Sequence, residues 1–196
     1  MTNQSLKTRR IASLGMLSAV ATVLMFLSFS VPLVPSFLKF DFSELPALLA
    51  AYAFGPMSGA VVCLVKNLIN ATATTTGFVG ELSNFLLGIC FVVPAGWIYG
   101  RKKTRKRAFT GALAGAFCMA LASLPINYFL TYPVYAKFMP METILSLYQA
   151  IDAHADTLLR ALIEFNIPFT LVKALAVTAL AFAVYKPLSP ILKGKR

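Results

Sequence analysis

Histidine occurs once in this chain, at position 154, and seven acidic residues face eighteen lysines and arginines. A membrane-embedded hydrolase that pairs a serine with an imidazole base therefore has one candidate base, and His154 stands in a connecting segment outside the apolar runs. No apolar run holds the clustered aspartates that a metal-dependent phosphotransferase needs. No glycine-rich phosphate loop ending in Lys and Ser or Thr is present, so ATP is not hydrolysed here by that route. Cys63, Cys90 and Cys118 stand alone in three separate apolar segments without a CxxC pair, which excludes a disulfide framework and a thiolate metal site. They read as buried, unreactive thiols. Internal repeats and low-complexity tracts are also missing.

What the chain has in excess is apolar sequence. Hydrophobic residues make up 58% of it and the mean hydropathy is +0.75, more than a soluble core of 196 residues requires. Ile11 to Val31, Leu82 to Gly100 and Ala108 to Ala136 are uncharged and long enough to cross about 30 Å of hydrocarbon as helices. The first run is too long for a signal peptide and no small-x-small cleavage site follows it, so it is expected to stay as a helix. Leu45 to Ala71 is broken at Gly55-Pro56, which predicts a short helix to Phe54, a tight reversal and a second helix from Met57. Phe165 to Tyr185 gives the last span. The expectation is one all-α membrane domain over residues 1–196, with six transmembrane helices in one bundle. The long connection from Tyr132 to Phe165 is expected to hold an amphipathic helix from Met141 to Leu162.

Charge orients this bundle. Lys7, Arg9 and Arg10, the RKKTRKR run from Arg101 to Arg107, and Lys186, Lys193, Lys195 and Arg196 all fall on one side of a six-span threading. Asp41, Glu44, Glu81, Glu142, Asp152, Asp156 and Glu164 fall on the other. Cytoplasmic loops are enriched in Lys and Arg, so both termini are read as cytoplasmic. Topology, with lipid contact as a secondary effect, then accounts for the net charge of +11, and nucleic acid is not needed as a partner.

Polar residues inside apolar sequence mark a candidate site. An ammonium at the bilayer centre costs about 2.5 to 3.5 kcal/mol, so Lys66 and Lys173 each need a partner or a ligand. Lys66 is assigned a carboxylate partner such as Asp41 or Glu81; Lys173, with no acid on its own helix, is assigned a ligand role. Asn166, Thr170 and Lys173 share one helix face, as do Lys66 and Asn70. Asn67 and Asn70 fit helix packing or ligand contact equally. Glu81 and Asn84 open the fourth span, and the fifth supplies Asn127 and Tyr128 beside Pro125. Phe37, Phe40 and Phe42 flank Asp41 and read as loop packing and interfacial anchors, one of them free to cover a ligand. Amides, carboxylates and ammonium groups bordered by aromatics suit a neutral ring-bearing ligand better than an ion.

FLKFDFSELPALLAAYAFGPMSGAVVCLVKNLINA (Phe37 to Ala71) and VGELSNFLLG (Val79 to Gly88) resemble the substrate-binding membrane component, or S component, of energy-coupling-factor (ECF) vitamin transporters. SLGMLSAVATVLMF near the start, INYF at Ile126 to Phe129 and IPFTLVKA at Ile167 to Ala174 extend the resemblance along the chain, which is most similar to the riboflavin-specific members. The resemblance implies a multi-pass protein of a bacterial plasma membrane that captures riboflavin from outside, without a cofactor. It also implies docking on a coupling membrane protein and two ATPase subunits. Asp41 then belongs to a loop closing over the ligand, with Phe40 as its covering aromatic. Glu81 and Asn84 take the ribityl chain or ring edge, and Asn127 and Lys173 the ring carbonyls and nitrogens. The family's Ala-x-x-x-Ala docking surface reads here as Gly15 and Ala19, with Ala12 one turn earlier. Another vitamin, FMN as a second ligand, and an independent six-helix secondary transporter stay open as alternatives.

Overall fold

In lipid a backbone finds no water, so every N–H and C=O must bond within its own segment or to a neighbour buried with it. The computed structural model describes residues 3–74 and 77–192, with side chains for 7–74 and 77–184, and it is a helical bundle, one of the forms that meet this rule. Its first helix, α1 (Asn3–Phe26), ends five residues before the apolar run does. Pro32 and Pro35 cannot continue a helix. The chain instead extends into β1 (Phe29–Ser30), which pairs antiparallel with β2 (Lys39–Phe40), Phe29 opposite Phe40.

The break at Gly55 is as the sequence predicts. Helix α2 (Glu44–Phe54) ends where Gly55 adopts φ 98°, a left-handed value that glycine takes without Cβ strain, and α3 (Pro56–Ala71) starts on the proline. Helix α4 (Val79–Arg101) packs on α5 (Arg105–Tyr135) at close range. A Cβ at Gly115 would lie 2.2 Å from the Phe91 carbonyl oxygen, so only glycine permits that approach. Tyr52 closes the core between α2 and α5 by donating its hydroxyl to the Ala108 carbonyl at 2.6 Å.

The connection after α5 departs from expectation. In place of one amphipathic helix from Met141 to Leu162, α6 (Met141–Gln149) ends early and a turn follows. Asp152 accepts the backbone N–H of His154, and Thr157 caps the next helix by accepting from the N–H of Arg160. These side chains offer the backbone local partners that compete with a continuous helix. The last helix, α7, begins at Leu158–Ala161, passes through a π turn at Leu162–Asn166, and continues as Ile167–Leu192. A matching π turn, Asn127–Thr131, interrupts α5.

By length and composition, four helical stretches among the described residues can cross a membrane: Lys7–Phe26, Val79–Arg101, Arg105–Tyr135 and Leu158–Val184. Helix α2 is apolar but short, and α3 carries Lys66. Large apolar side chains such as Met16, Val23, Phe117, Leu121, Phe129 and Val172 stay exposed on the outside of the bundle, as a lipid-facing surface requires. Cys63 is buried, but Cys90 is only partly so and Cys118 is exposed on this outer surface, contrary to the uniform burial expected. Lys193, Lys195 and Arg196 of the third basic cluster lie outside the described residues.

The two ends of the bundle differ in charge. At one end Arg10 donates to the Phe54 carbonyl and the Ser58 hydroxyl, Arg101 stacks 4.0 Å over Trp97, and Arg105 lies 4.4 Å from the Phe182 ring centroid. At the other end the C-termini of α1, α3 and α5 meet the N-termini of α4 and α7, and a cavity opens between them.

Candidate functional site

The cavity measures about 320 Å³, inside the ~300–1,000 Å³ range of small-molecule sites. Met25 and Phe26 of α1, the loop residues Phe37, Leu38, Lys39 and Asp41, and Asn70 of α3 form one side. Glu81, Ser83 and Asn84 of α4 face Asn127, Thr131, Tyr132 and Tyr135 of α5. Asn166, Phe169, Thr170 and Lys173 of α7 complete it, so the shared helix face read from their spacing is a wall of the cavity.

Beside this cavity four charges cancel in pairs. Lys173 Nζ donates to Asp41 Oδ2 at 2.9 Å and lies 3.4 Å from Glu44 Oε2. Lys66 Nζ donates to Glu44 Oε1 at 2.8 Å and to the Ser43 hydroxyl. Ser43 returns its backbone N–H to Asp41 Oδ1 at 2.8 Å. All four charged side chains are buried, which is sustainable only because each charge meets an opposite one. Burial pushes the Asp41 carboxyl up, but the ammonium groups of Lys173 and Lys66 and the hydrogen bond from Ser43 outweigh it and hold the group at about 2.

Lys66 has the carboxylate partner expected of it, but that partner is Glu44, buried in the first turn of α2, in place of Asp41 or Glu81. Lys173, assigned to a ligand for want of an acid on its own helix, borders the cavity and is also paired with Asp41.

The loop aromatics sort differently from expectation as well. Phe40 is not among the residues bordering the cavity; its ring packs on Phe29 and Phe42, each 5.4 Å away between centroids, and on Phe169 at 6.0 Å. Side chains alternate along a strand, so Lys39 and Asp41 face the cavity and Phe40 faces away. Phe37 is the aromatic that borders it, edge-on to Tyr132 and Tyr148. Tyr128 is exposed and does not border the cavity either.

Glu81, Asn84 and Asn127 all border the cavity. Glu81 accepts from Asn70 Nδ2 at 3.3 Å and from the Thr74 hydroxyl at 2.9 Å. Asn84 Oδ1 is buried without a hydrogen bond among the described residues, an acceptor that a ligand donor can satisfy. Asn67 donates to the Cys63 carbonyl one turn back on its own helix, outside the cavity lining. Sequence reasoning did not select Thr131, Tyr132 or Tyr135, although the i, i+4 spacing of Asn127 and Thr131 was available.

Residues 9–185 match the family model for the substrate-specific component of ECF transporters. The chain belongs to that family. It is 33% identical over 187 residues to the riboflavin transporter RibU of Staphylococcus aureus, covering 95% of this chain and 94% of that one. To the riboflavin transporter FmnP of Bacillus subtilis it is 28% identical over 195 residues, 97% of each chain. A solved S component of a bacterial ECF transporter superposes with a TM-score of 0.76 at 32% identity, over 95% of this chain and 99% of that one. This S component is therefore a transporter subunit and not an enzyme. Its small-residue positions Ala12, Gly15 and Ala19 are exposed on α1, whose buried face is instead Ser18, Ala21, Thr22 and Met25. A Cβ built on Gly15 meets nothing within 4 Å, so this surface is not used for packing among the described residues.

Proposed function

We propose that this chain captures riboflavin from outside the cell and delivers it inward as the S component of an ATP-driven ECF transporter. The observation that carries this reading is a cavity in which the buried Lys173 is neutralised by Asp41, while amides, hydroxyls, aromatic walls and the Glu81 carboxylate meet the ligand. Riboflavin is uncharged near neutral pH and offers ring carbonyls, ring nitrogens and a hydroxylated chain to such groups. Relatives matching nearly the full length are named riboflavin transporters, which favours this vitamin over others.

In this reading residues 1–196 form one membrane domain, with α2 and α3 completing six spans. The basic end faces the cytoplasm and the cavity faces out. Glu81 and Asn84 hold the ribityl chain or ring edge, and Asn127 takes ring carbonyls or nitrogens. An ammonium carries three donors, so Lys173 keeps a donor for the ligand after bonding Asp41. Asp41 ties the loop of residues 31–43 across the site as its cover. Energy arrives through contact of Ala12, Gly15 and Ala19 with a coupling membrane protein that carries two ATPase subunits. Small side chains allow the close backbone approach such packing needs.

Riboflavin uptake by intact cells tests the reading. Cells expressing this chain together with a coupling module should accumulate riboflavin, and cells expressing it with an ATPase-inactive module should not. Uptake that is indifferent to the module contradicts the coupling.

A further inference from the structure

Asn166 is held by a closed cycle of three hydrogen bonds. The Tyr148 hydroxyl donates to Asn166 Oδ1 at 2.7 Å, and Asn166 Nδ2 donates to the Tyr132 oxygen at 3.1 Å. The Tyr132 and Tyr148 hydroxyls bond to each other directly. Donor counting assigns that contact: each phenol has one proton, Tyr148 gives its own to Asn166, so Tyr132 donates to Tyr148. Every group in the cycle then gives one hydrogen bond and receives one. Burial pushes the Tyr148 phenol up, so the proton the cycle needs stays in place.

The three residues come from different parts of the chain and have different access to the cavity. Asn166 closes the π turn of α7, Tyr132 follows the π turn of α5, and Tyr148 belongs to α6 in the connection between them. All three side chains are fully buried, and of the three Asn166 and Tyr132 border the cavity while Tyr148 does not. The cycle uses one of two Nδ2 protons and one of two Oδ1 lone pairs, so the Asn166 amide keeps one donor and one acceptor for a ligand. The cycle holds the plane of that amide against the two phenols.

We infer that Tyr148 is a positioning residue for ligand binding, which holds the plane of the Asn166 amide so that its remaining donor and acceptor stay available to the ligand. The inference rests on the reading of this cavity as the riboflavin site. It gives the α6 connection a role in recognition without contact to the ligand, and it joins that connection to the first loop, because Phe37 packs edge-on against the Tyr148 ring at 5.8 Å.

A double-mutant cycle read by riboflavin fluorescence quenching on the purified full chain is the test. Tyr148→Phe keeps the ring that packs on Phe37 and Phe165 and removes only the hydroxyl. It should weaken binding about tenfold, as leaving a buried hydrogen-bonding group unpaired does. In an Asn166→Ala background the same substitution should cost less than about twofold, because the group it positions is gone. An equal loss in both backgrounds means Tyr148 acts through general packing and overturns the inference. Should Tyr148→Phe fold poorly, Tyr132→Phe breaks the same cycle and must show the same dependence on Asn166. Failure of the wild-type chain to bind riboflavin sinks the functional reading and this inference with it, whereas wild-type binding with an additive cycle sinks the inference alone.

Discussion

Lys173 Nζ sits 2.9 Å from Asp41 Oδ2, an ion pair between the last helix and the first loop across 132 positions of sequence. Loop and helix both border the cavity, so this pair ties one of its walls to another. Lys173→Met is close in length but has no donors, and it leaves Asp41 buried and bonded to the Ser43 N–H. Riboflavin binding should weaken by about 1 to 3 kcal/mol, the cost of leaving a buried hydrogen-bonding group unmade. Equilibrium titration of the detergent-purified variant measures it. The pH dependence has a definite sign, because Asp41 is lowered from 3.8 to about 2 on folding. A lowered carboxylate contributes stability in full above its ordinary value and loses it as pH falls toward the folded value. Wild-type binding should thus stay level between about pH 5 and 8 as far as Asp41 is concerned.

Lys66 differs from Lys173 because it does not border the cavity. Lys66→Met removes the ammonium from Glu44 and should cost about 3 to 5 kcal/mol of folding stability, as breaking one side of a buried pair does. Thermal unfolding in detergent, followed by helical circular dichroism, should show a clear fall in midpoint. Adding Glu44→Gln should recover part of it, because Lys173 alone, at 3.4 Å and already bonded to Asp41, compensates the Glu44 charge incompletely. Normal stability of Lys66→Met together with lost ligand binding would reverse the roles assigned to the two lysines.

Much of this arrangement was legible because the physics involved is local. Gly55-Pro56 announces its own turn, since proline cannot donate and glycine accepts a positive φ. Asn166, Thr170 and Lys173 announce their shared face by helical spacing. The Lys173–Asp41 pair was not legible, because no local rule links residues so far apart. The choice of Glu44 as the partner of Lys66 was not legible for the same reason: it depends on where α3 delivers Lys66. The choice of Phe37 over Phe40 turned on a two-residue strand whose alternation faces Phe40 away from the cavity. The two π turns have no spacing signal in the sequence, yet they carry Asn127 and Asn166 into the site.

The exposed small-residue surface of α1 yields a separation of binding from transport. Replacing Gly15 and Ala19 together with Trp should abolish riboflavin uptake and co-purification with the coupling module. Binding by the isolated chain should stay near wild type, because nothing packs on Gly15 among the described residues. Uptake assays and pull-down of the module measure the first effect, and fluorescence titration the second. Equal loss of binding and uptake would instead show that the surface supports the chain's own fold.

Riboflavin binding by the purified chain alone bears most directly on the central claim. Titrating riboflavin into the detergent-solubilised protein, without ATP or a coupling module, should quench flavin fluorescence to a one-to-one endpoint, and the complex should survive size-exclusion chromatography as a yellow protein. A folded preparation that leaves riboflavin fluorescence unchanged while binding thiamine or biotin saturably would contradict the account.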